Sequence, residues 1–271
     1  MRLSFSKMAG AGNDFILLEK TSKISEEKRL AVRLCDRRRG IGADGLLIVD
    51  ARAGTPRLAY FNADGSQAFC GNGTRCAAWW LYSRGKIRGR NFILETSAGP
   101  ARARITGNGR ASILMPAPGR LRLGLKLRAG GSVHEVHWIR VGVPHAVVET
   151  KNSASAPLQS LGPLLRRHRA FGRQGANVDF VHFEKNRAVL RTFERGVEGE
   201  TLACGTGAVA AACVGRALGR LRGGSVRVLT AGGDVLRVDF KPSRNGGRSG
   251  VAPEIWLEGP AAEIFSGEIT L

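Results

Sequence analysis

The chain has 271 residues, enough for two domains of ordinary size, and its 43% hydrophobic content fits a globular protein with real cores. There is no charged-then-apolar signal at the N-terminus, and no apolar run approaches the ~18 residues of a membrane span, so we expect a cytoplasmic protein without a membrane contact. The formal net charge is +20. Its basic residues are spread along the chain without an aromatic-basic or helix-turn-helix pattern, so we expect a basic surface and no nucleic-acid partner.

The first half of the chain predicts short strands around one apolar helix. Strands are predicted near 3–5, 15–18, 46–49 and 58–61, with an amphipathic helix over 25–35. A helix over 74–82 is apolar on most of its surface, which indicates a buried, central position. Strands at 92–96, 101–105 and 112–115 follow, and the Pro-Ala-Pro-Gly segment at 116–119 is the best linker candidate.

The second half repeats this order of elements. Strands are predicted near 133–141, 177–180 and 188–193, a turn at 142–145, and helices over 157–169 and 208–218. Strands at 226–229, 235–240, 255–257 and 264–271 complete the chain, with a flexible loop at 243–250. Many short strands around one apolar helix in each half predict an α+β fold of two pseudo-symmetric domains rather than alternating βαβ units. We predict an N-terminal domain over residues 1–117 and a C-terminal domain over residues 118–259. The last strand, 260–271, is predicted to return to the N-terminal domain.

Two short segments, about half the chain apart, share a cysteine box: Cys70-Gly71-Asn72-Gly73 and Cys204-Gly205-Thr206-Gly207. Each box is preceded by an acidic residue and a glycine at the same spacing, and each is followed by an Ala-rich apolar run. This indicates one supersecondary unit that is used twice, once in each half.

Each cysteine is predicted to lie at a helix start, because glycine permits close backbone approach and an Ala-rich segment propagates a helix. Free N–H groups at a helix start favour negative charge, so we expect depressed cysteine pKa values, thiolate sulfurs and a carboxylate-binding backbone. Inverting a stereocentre next to a carboxylate needs a base on one face and an acid on the other, which a thiolate and a thiol supply. The alternative is two buried structural cysteines that head packed helices.

The sequence predicts neither a metal nor an organic cofactor. Five cysteines, an odd number, do not suggest a disulfide scaffold. Cys70 and Cys76 are spaced too widely for a zinc knuckle, and His134-Glu135-Val136-His137 is not the HExxH metal pattern. There is no GxGxxG after a first strand, no Walker motif, and nothing that marks a lysine for pyridoxal phosphate.

The boxes, together with several other stretches, resemble the diaminopimelate epimerase family. The matching stretches are 7–15, 40–45, 61–76, 142–145, 177–180 and 193–207, in the expected order. The resemblance implies two similar domains, each a β-barrel-like sheet wrapped on a central helix, with the active site in the cleft between them. It implies cofactor-independent interconversion of LL- and meso-diaminopimelate by Cys70 and Cys204, in lysine and peptidoglycan precursor biosynthesis. It also implies a homodimer.

The family's substrate contacts, carried over residue by residue, fall on polar side chains and on the two helix starts. They are Asn13, Asn62, Asn177, Glu194 and Arg195, with Gly71-Asn72 and Gly205-Thr206 at the helix starts. His145 and Glu194 are implied to pair with the cysteines and to help set which one is ionised. Three positions depart from the family's pattern: Ala9, Gly45 and Val143 stand where other members have His, Gln and Asn.

Two other functions are compatible with parts of this pattern. A racemase of another amino acid, such as proline or hydroxyproline, shares the two-cysteine chemistry, but it would replace the contacts at Asn13, Glu194 and Arg195, which are present. A basic binding protein that kept the fold without the activity would predict a damaged cysteine pair, and both cysteines are intact.

Overall fold

The computed structural model describes residues 2–22, 24–52, 54–242 and 253–271. The chain divides into two compact units: unit 1 comprises 1–114 and 258–271, and unit 2 comprises 115–257. The described residues form seventeen strands and four α-helices, which confirms the predicted α+β class. In this described part, no helix is both long and apolar enough to cross a membrane.

The chain up to residue 114 forms seven strands and two helices. They are β1 (Arg2–Gly10), β2 (Asn13–Glu19), α1 (Glu27–Cys35), β3 (Gly45–Asp50), β4 (Arg57–Asn62), α2 (Gly71–Ser83), β5 (Asn91–Thr96), β6 (Gly99–Gly107) and β7 (Arg110–Leu114).

The remainder of the chain forms ten strands and two helices, of which the last strand belongs to unit 1. They are β8 (Arg122–Ala129), β9 (Ser132–Val141), β10 (Val143–Glu149), α3 (Leu158–Arg166), β11 (Asn177–Glu184), β12 (Arg187–Glu194), β13 (Gly199–Thr201), α4 (Gly205–Ala217), β14 (Ser225–Leu229), β15 (Val235–Lys241), β16 (Glu254–Pro260) and β17 (Ala262–Thr270).

The strands of the two units pair in the same order. In unit 1, β17–β1 and β1–β2 are antiparallel, β2–β3 is parallel, β3–β4 antiparallel, β4–β5 parallel and β5–β6 antiparallel. In unit 2, β8–β9 and β9–β10 are antiparallel, β10–β11 is parallel, β11–β12 antiparallel, β12–β14 parallel and β14–β15 antiparallel. The repeat makes β2, β3, β4 and α2 the counterparts of β10, β11, β12 and α4.

Helices α2 and α4 are the apolar helices predicted for the two halves. Ala77, Ala78 and Leu81 of α2 are completely buried, and the core around this helix includes Phe15 and Leu47. In α4, residues 208–212 are all buried. Burying a side chain of the size of Leu81 contributes about 1.5–3 kcal/mol. Small alanine side chains let strands pack against the helix on several sides, so each unit's core fixes the position of its helix.

Some predicted elements differ from the structure. Both helices begin three residues earlier than predicted, at Gly71 and Gly205, because a cysteine side chain caps each helix and the glycines form its first turn. Gly142, with φ 67°, turns the chain by itself, and His145 lies within β10 rather than in a turn. Strand β8 was not predicted from the sequence. The predicted loop at 243–250 lies outside the described residues, and the domain borders at 117 and 259 stay a prediction.

Candidate active site

Cys70 and Cys204 occupy the same position at the starts of α2 and α4. Each immediately precedes its helix with an extended backbone, φ −132° and ψ 114° at Cys70 and φ −121° and ψ 111° at Cys204. Each sulfur accepts a hydrogen bond of 3.4 Å from the second glycine of its box, Gly73 or Gly207. The predicted placement of both cysteines at helix starts is therefore confirmed. We name the surroundings of Cys70 half-site 1 and those of Cys204 half-site 2.

In half-site 1, a chain of hydrogen bonds fixes Asn13 and Asn72. The buried Asn72 donates from Nδ2 to Oδ1 of Asn13 at 2.7 Å, and Nδ2 of Asn13 donates to Oδ2 of Asp44 at 2.9 Å. Oδ1 of Asn72 accepts from the guanidinium of the completely buried Arg75 at 2.6 Å. Each amide meets a defined donor and a defined acceptor, so the protein itself sets the orientation of both side chains.

The Asp44 carboxylate belongs to an ion-pair cluster next to Asn13. Arg37 donates to Asp14 and Asp44 at 2.7 and 2.8 Å, and Lys7 donates to Asp14 at 2.8 Å. Burial alone would raise the pKa of Asp14, but the hydrogen bonds from Arg37 and Lys7 outweigh burial and lower the pKa to about 2. Asp14 is therefore ionised at neutral pH, and the cluster anchors the start of β2, which carries Asn13.

Asn62, the last residue of β4, is held by two hydroxyl groups. Tyr60 donates to Oδ1 of Asn62 at 2.8 Å, and Nδ2 of Asn62 donates to Ser66 at 2.9 Å. Burial raises the pKa of the Tyr60 phenol, so its hydroxyl keeps the proton that it donates. A Cβ at Gly45 would lie 2.4 Å from the Tyr60 ring, so glycine at position 45 leaves the space that this ring fills.

In half-site 2, the hydrogen-bond directions can be read from one backbone donor. The N–H of Arg195 can only donate, and it donates to Oδ1 of Asn177 at 2.8 Å. The amide nitrogen of Asn177 therefore faces Nε2 of His145, 3.5 Å away. Nδ1 of His145 lies 2.7 Å from Oδ2 of Asp179, and both side chains are completely buried. His145 thus joins a predicted substrate contact to a buried carboxylate.

Thr206 and Glu194 complete the set of predicted residues in half-site 2. The Thr206 hydroxyl lies 3.5 Å from the Cys204 sulfur. The Glu194 carboxylate accepts a hydrogen bond of 2.8 Å from Thr201. Thr201 is not among the site residues predicted from the sequence. Burial raises the pKa of Glu194, while the hydrogen bond from Thr201 opposes that effect.

The expectation of a depressed cysteine pKa is wrong for Cys204. Burial raises the pKa of this thiol well above its ordinary value, and negative charge on Glu194 and Asp179 raises it further. The hydrogen bonds from Thr206 and from the N–H of Gly207 lower the pKa but are outweighed. Cys204 is therefore a thiol at neutral pH, which suits the acid of a thiol–thiolate pair.

The other three cysteines have a different environment. Burial raises the pKa of Cys35 to about 11 and the pKa values of Cys76 and Cys213 to about 12. They lie inside helices rather than before a helix start. Among the described residues, no group of three or more His, Cys, Asp or Glu side chains is arranged to hold a metal ion.

Comparison with known proteins decides the family. The family model described as diaminopimelate epimerase matches residues 5–120 and 137–245. The diaminopimelate epimerase of Chlorobaculum tepidum is 37% identical over 269 residues, which cover 97% of this chain and 100% of that protein. The diaminopimelate epimerase of Aquifex aeolicus is 35% identical over 282 residues, covering 99% of this chain and 98% of that protein. The chain belongs to the diaminopimelate epimerase family.

Solved structures with the same fold extend beyond the diaminopimelate epimerases. A PhzF-family phenazine biosynthesis protein of Bacillus anthracis has a TM-score of 0.75 and 15% identity, with 100% of both chains covered. A hydroxyproline epimerase of Agrobacterium vitis has a TM-score of 0.70 and 17% identity, covering 100% of this chain and 93% of that chain. At these identities the likeness shows the fold alone, so the function must be argued from the half-sites.

For a diaminopimelate epimerase family member, the structure explains one of the three departures. Gly45 accommodates the buried ring of Tyr60, which in turn holds Asn62. Ala9 pairs with Asp14 across β1 and β2, and Val143 begins β10; nothing in the structure explains these two substitutions. The residues that sequence reasoning missed are Asp44, Tyr60 and Arg75 in half-site 1 and Asp179, Thr192 and Thr201 in half-site 2.

Proposed function

We propose that this protein is a diaminopimelate epimerase, an isomerase that interconverts LL- and meso-diaminopimelate, with Cys70 and Cys204 as its base and acid. The observation that carries the proposal is the matched placement of the two cysteines at helix starts, in a chain of this family. The reaction belongs to lysine and peptidoglycan precursor biosynthesis. The cytoplasmic location, the homodimer and the absence of a nucleic-acid partner stay predictions.

The proposed reaction removes one proton from the carbon next to the carboxylate and adds one proton to the opposite face of the same carbon. A thiolate removes the proton from the carbon next to the carboxylate, and the electron pair of that C–H bond delocalises into the carboxylate. A thiol on the opposite face gives its proton to the same carbon. The first sulfur ends as a thiol and the second as a thiolate, so the reverse reaction uses the same two groups in exchanged roles.

The helix starts supply the stabilisation that the charged intermediate needs. The first N–H groups of a helix have no partner within the helix and carry partial positive charge. In this protein they belong to Gly71-Asn72 and Gly205-Thr206, directly after the two cysteines. We propose that they hold the carboxylate whose negative charge grows as the proton leaves, which is where fixed donors lower an activation barrier most.

Recognition of the distal amino acid group distinguishes diaminopimelate from smaller amino acids. We assign this recognition to Asn13, Asn62, Asn177, Glu194 and Arg195, which include amide, carboxylate and guanidinium groups. Hydrogen bonds within each unit already orient the three asparagines. A substrate without the second amino and carboxylate groups would leave such polar groups unpaired, so it is rejected.

Tyr60→Phe tests the recognition by Asn62. The substitution removes only the hydroxyl that donates to Asn62 Oδ1, so the amide keeps one of the two hydrogen bonds that orient it. One hydrogen bond of this kind is worth about 0.5–1.5 kcal/mol, which corresponds to about a 2- to 10-fold rise in KM for diaminopimelate with little change in kcat. Steady-state kinetics in both directions measure the effect.

Tyr82→Phe is the matched control, because Tyr82 is the other tyrosine of the chain and its ring lies against Trp79 on α2. We expect its KM and kcat to match those of the parent. An unchanged KM in Tyr60→Phe, or an equal rise in Tyr82→Phe, would remove Tyr60 from the recognition of substrate.

A substrate panel in deuterated water tests the proposed function. The reduced protein is incubated separately with LL-diaminopimelate, L-proline and L-lysine, and mass spectrometry measures deuterium at the α-carbon while chiral chromatography measures the products. We expect exchange and the meso isomer with diaminopimelate alone. Turnover of proline would favour the racemase alternative, and exchange with none of the three under reducing conditions would contradict the enzymatic function.

A further inference from the structure

The residues behind the two helix starts occupy equivalent positions but differ in chemistry. Phe15 and His145 are equivalent because each pairs with the first residue of the next parallel strand, Gly45 or Asn177. The third residues of those strands are Leu47 and Asp179. Across the following antiparallel pair, Leu47 faces Tyr60 and Asp179 faces Thr192. We name His145, Asp179 and Thr192 the polar triad, and Phe15, Leu47 and Tyr60 the apolar triad.

Two members of each triad lie directly against the second glycine of the corresponding cysteine box. A Cβ at Gly73 would lie 2.9 Å from Leu47 and 3.5 Å from Phe15. A Cβ at Gly207 would lie 2.6 Å from Oδ1 of Asp179 and 3.2 Å from the Thr192 hydroxyl. The cysteine boxes are therefore alike in backbone, but one is backed by hydrocarbon and the other by a carboxylate.

The hydrogen bonds define the charge of the polar triad. The amide nitrogen of Asn177 faces Nε2 of His145, so this ring nitrogen is an acceptor and carries no proton. The ring is then neutral with its proton on Nδ1, which donates to Oδ2 of Asp179. Oδ1 of Asp179 accepts from the Thr192 hydroxyl at 2.8 Å. Asp179 is thus a buried carboxylate with two neutral donors.

This carboxylate shares the start of α4 with the Cys204 sulfur. A helix start stabilises one negative charge, and a second anion at the same place repels the first. In half-site 1 the equivalent position is Leu47, which carries no charge. The two cysteines therefore meet different electrostatic environments although their backbone conformations match.

We propose that Asp179 is a positioning residue that makes the half-sites unequal, holding Cys204 as the thiol through its charge and fixing Asn177 through His145, while Cys70 serves as the thiolate. The assignment of acid and base roles rests on the proposed function. The protonation difference between the two sulfurs rests only on the geometry of each unit.

The ionisable groups near Cys204 support this assignment. Burial, Glu194 on β12 and Asp179 on β11 all raise the pKa of the Cys204 thiol. His145 on β10 lies beside this group as a neutral ring that donates to Asp179. On the other strands packed against α4, Gly124 donates to His137 of β9, and Arg237 of β15 pairs with Asp239 of the same strand. Asp179 is the member of the group around Cys204 that is completely buried and anionic.

Alkylation resolved by cysteine tests the proposal without any turnover. The reduced full-length protein is treated with iodoacetamide from about pH 6 to about pH 10, and peptide mass spectrometry gives the rates at Cys70 and Cys204, because only the thiolate reacts. In the parent we expect the pH midpoint of Cys204 to lie above that of Cys70. Asp179→Asn should lower the Cys204 midpoint by about one pH unit or more and leave the Cys70 midpoint unchanged.

Two further variants separate charge from packing. Glu184→Gln removes a carboxylate at the surface end of the same strand, where it pairs with Arg187, and should leave both midpoints unchanged. Asp179→Leu copies Leu47 of half-site 1 and should also lower the Cys204 midpoint. If Asp179 serves packing alone, its variants change the Cys204 rate by the same factor at every pH with a fixed midpoint, which would overturn the proposal.

Nitrogen-15 NMR of the histidine rings keeps the proposal testable if the Asp179 variants fail to fold. The parent protein should show His145, assigned with His145→Gln, as a neutral ring with its proton on Nδ1 at neutral pH. A doubly protonated ring or the Nε2–H tautomer would contradict the charge assigned to the polar triad. A lowered Cys204 midpoint in a protein that does not turn over diaminopimelate would refute the proposed function and leave the role of Asp179 standing.

Discussion

Cys70→Ala and Cys204→Ala should each lower the rate of diaminopimelate epimerisation by at least about 100-fold, since acid or base catalysis by one positioned group contributes about 10²- to 10⁴-fold. In the proposed mechanism, each variant removes one member of the acid–base pair. The loss should appear in kcat in both reaction directions, while the KM for diaminopimelate changes little because the predicted binding groups remain. Steady-state kinetics on folded, reduced variants measure both parameters.

Cys213→Ala is the matched control, because Cys213 lies in α4 but away from the helix start. Its activity should equal that of the parent within about twofold, since no positioned acid or base is lost. Retention of more than about a tenth of the parent kcat in either Cys70→Ala or Cys204→Ala would show that the missing thiol is not a catalytic group.

Gly207→Ala should lower the free energy of unfolding by up to about 2 kcal/mol, because an added methyl group in a well-packed core usually costs about 1–3 kcal/mol and the gain in helix propensity recovers part of it. The new Cβ would lie 2.6 Å from Oδ1 of Asp179, a carboxylate that hydrogen bonds from His145 and Thr192 hold in place. Alanine is a better helix former than glycine by about 0.8–1 kcal/mol, which offsets only part of this cost. Denaturant titration measures the change.

Gly73→Ala is the pseudo-symmetric comparison. Its Cβ would lie 2.9 Å from Cδ2 of Leu47, the end of a side chain that can rotate away. The gain in helix propensity then balances most of the packing cost, and the free energy of unfolding should change by less than about 1 kcal/mol. Equal destabilisation by both substitutions would contradict the rigid placement of Asp179 against α4.

The repeated architecture could be predicted because it depends on patterns within single segments. The alternation of the strands, the Ala-rich helices and the duplicated cysteine boxes each leave a local signal. Strand β8 was not predicted, although residues 120–128 alternate arginine or lysine with leucine at every position except Gly124. Gly124, with φ 68°, interrupts the period-two pattern of a half-buried strand, and the pairing of β8 with β9 shifts register between Arg122 and Leu125.

The chemical difference between the half-sites could not be predicted from the boxes themselves. The helix start alone predicts a low cysteine pKa, but burial raises the Cys204 pKa, and the negative charges of Glu194 and Asp179 raise it further. Asp179 lies 25 positions earlier in the chain and is brought behind the same helix by the fold. One signal was available. Asp179 is an acidic residue between the apolar Val178 and Phe180 of β11, where burial demands a hydrogen-bond partner.

The hydrogen-bond partners of the predicted asparagines were likewise beyond the sequence. Tyr60 looks like an ordinary strand aromatic, and only the register of β3 against β4 shows that its ring fills the space at Gly45. Arg75 lies two residues after the first cysteine box, and nothing in the sequence indicates that it is completely buried and donates to Asn72. Such roles depend on tertiary packing, which single-segment patterns do not encode.

Solvent deuterium in the first turnovers tests most directly whether Cys70 and Cys204 act from opposite faces of one carbon, as we propose. LL-diaminopimelate is incubated with the parent protein in deuterated water, and the recovered substrate and the meso product are separated at low conversion. We predict deuterium at the inverted carbon of the product and none in the recovered substrate, because the donating thiol has exchanged with solvent and the accepting thiolate returns the substrate's own proton. Equal deuterium in substrate and product from the first turnovers would contradict the two-thiol account and indicate a single base.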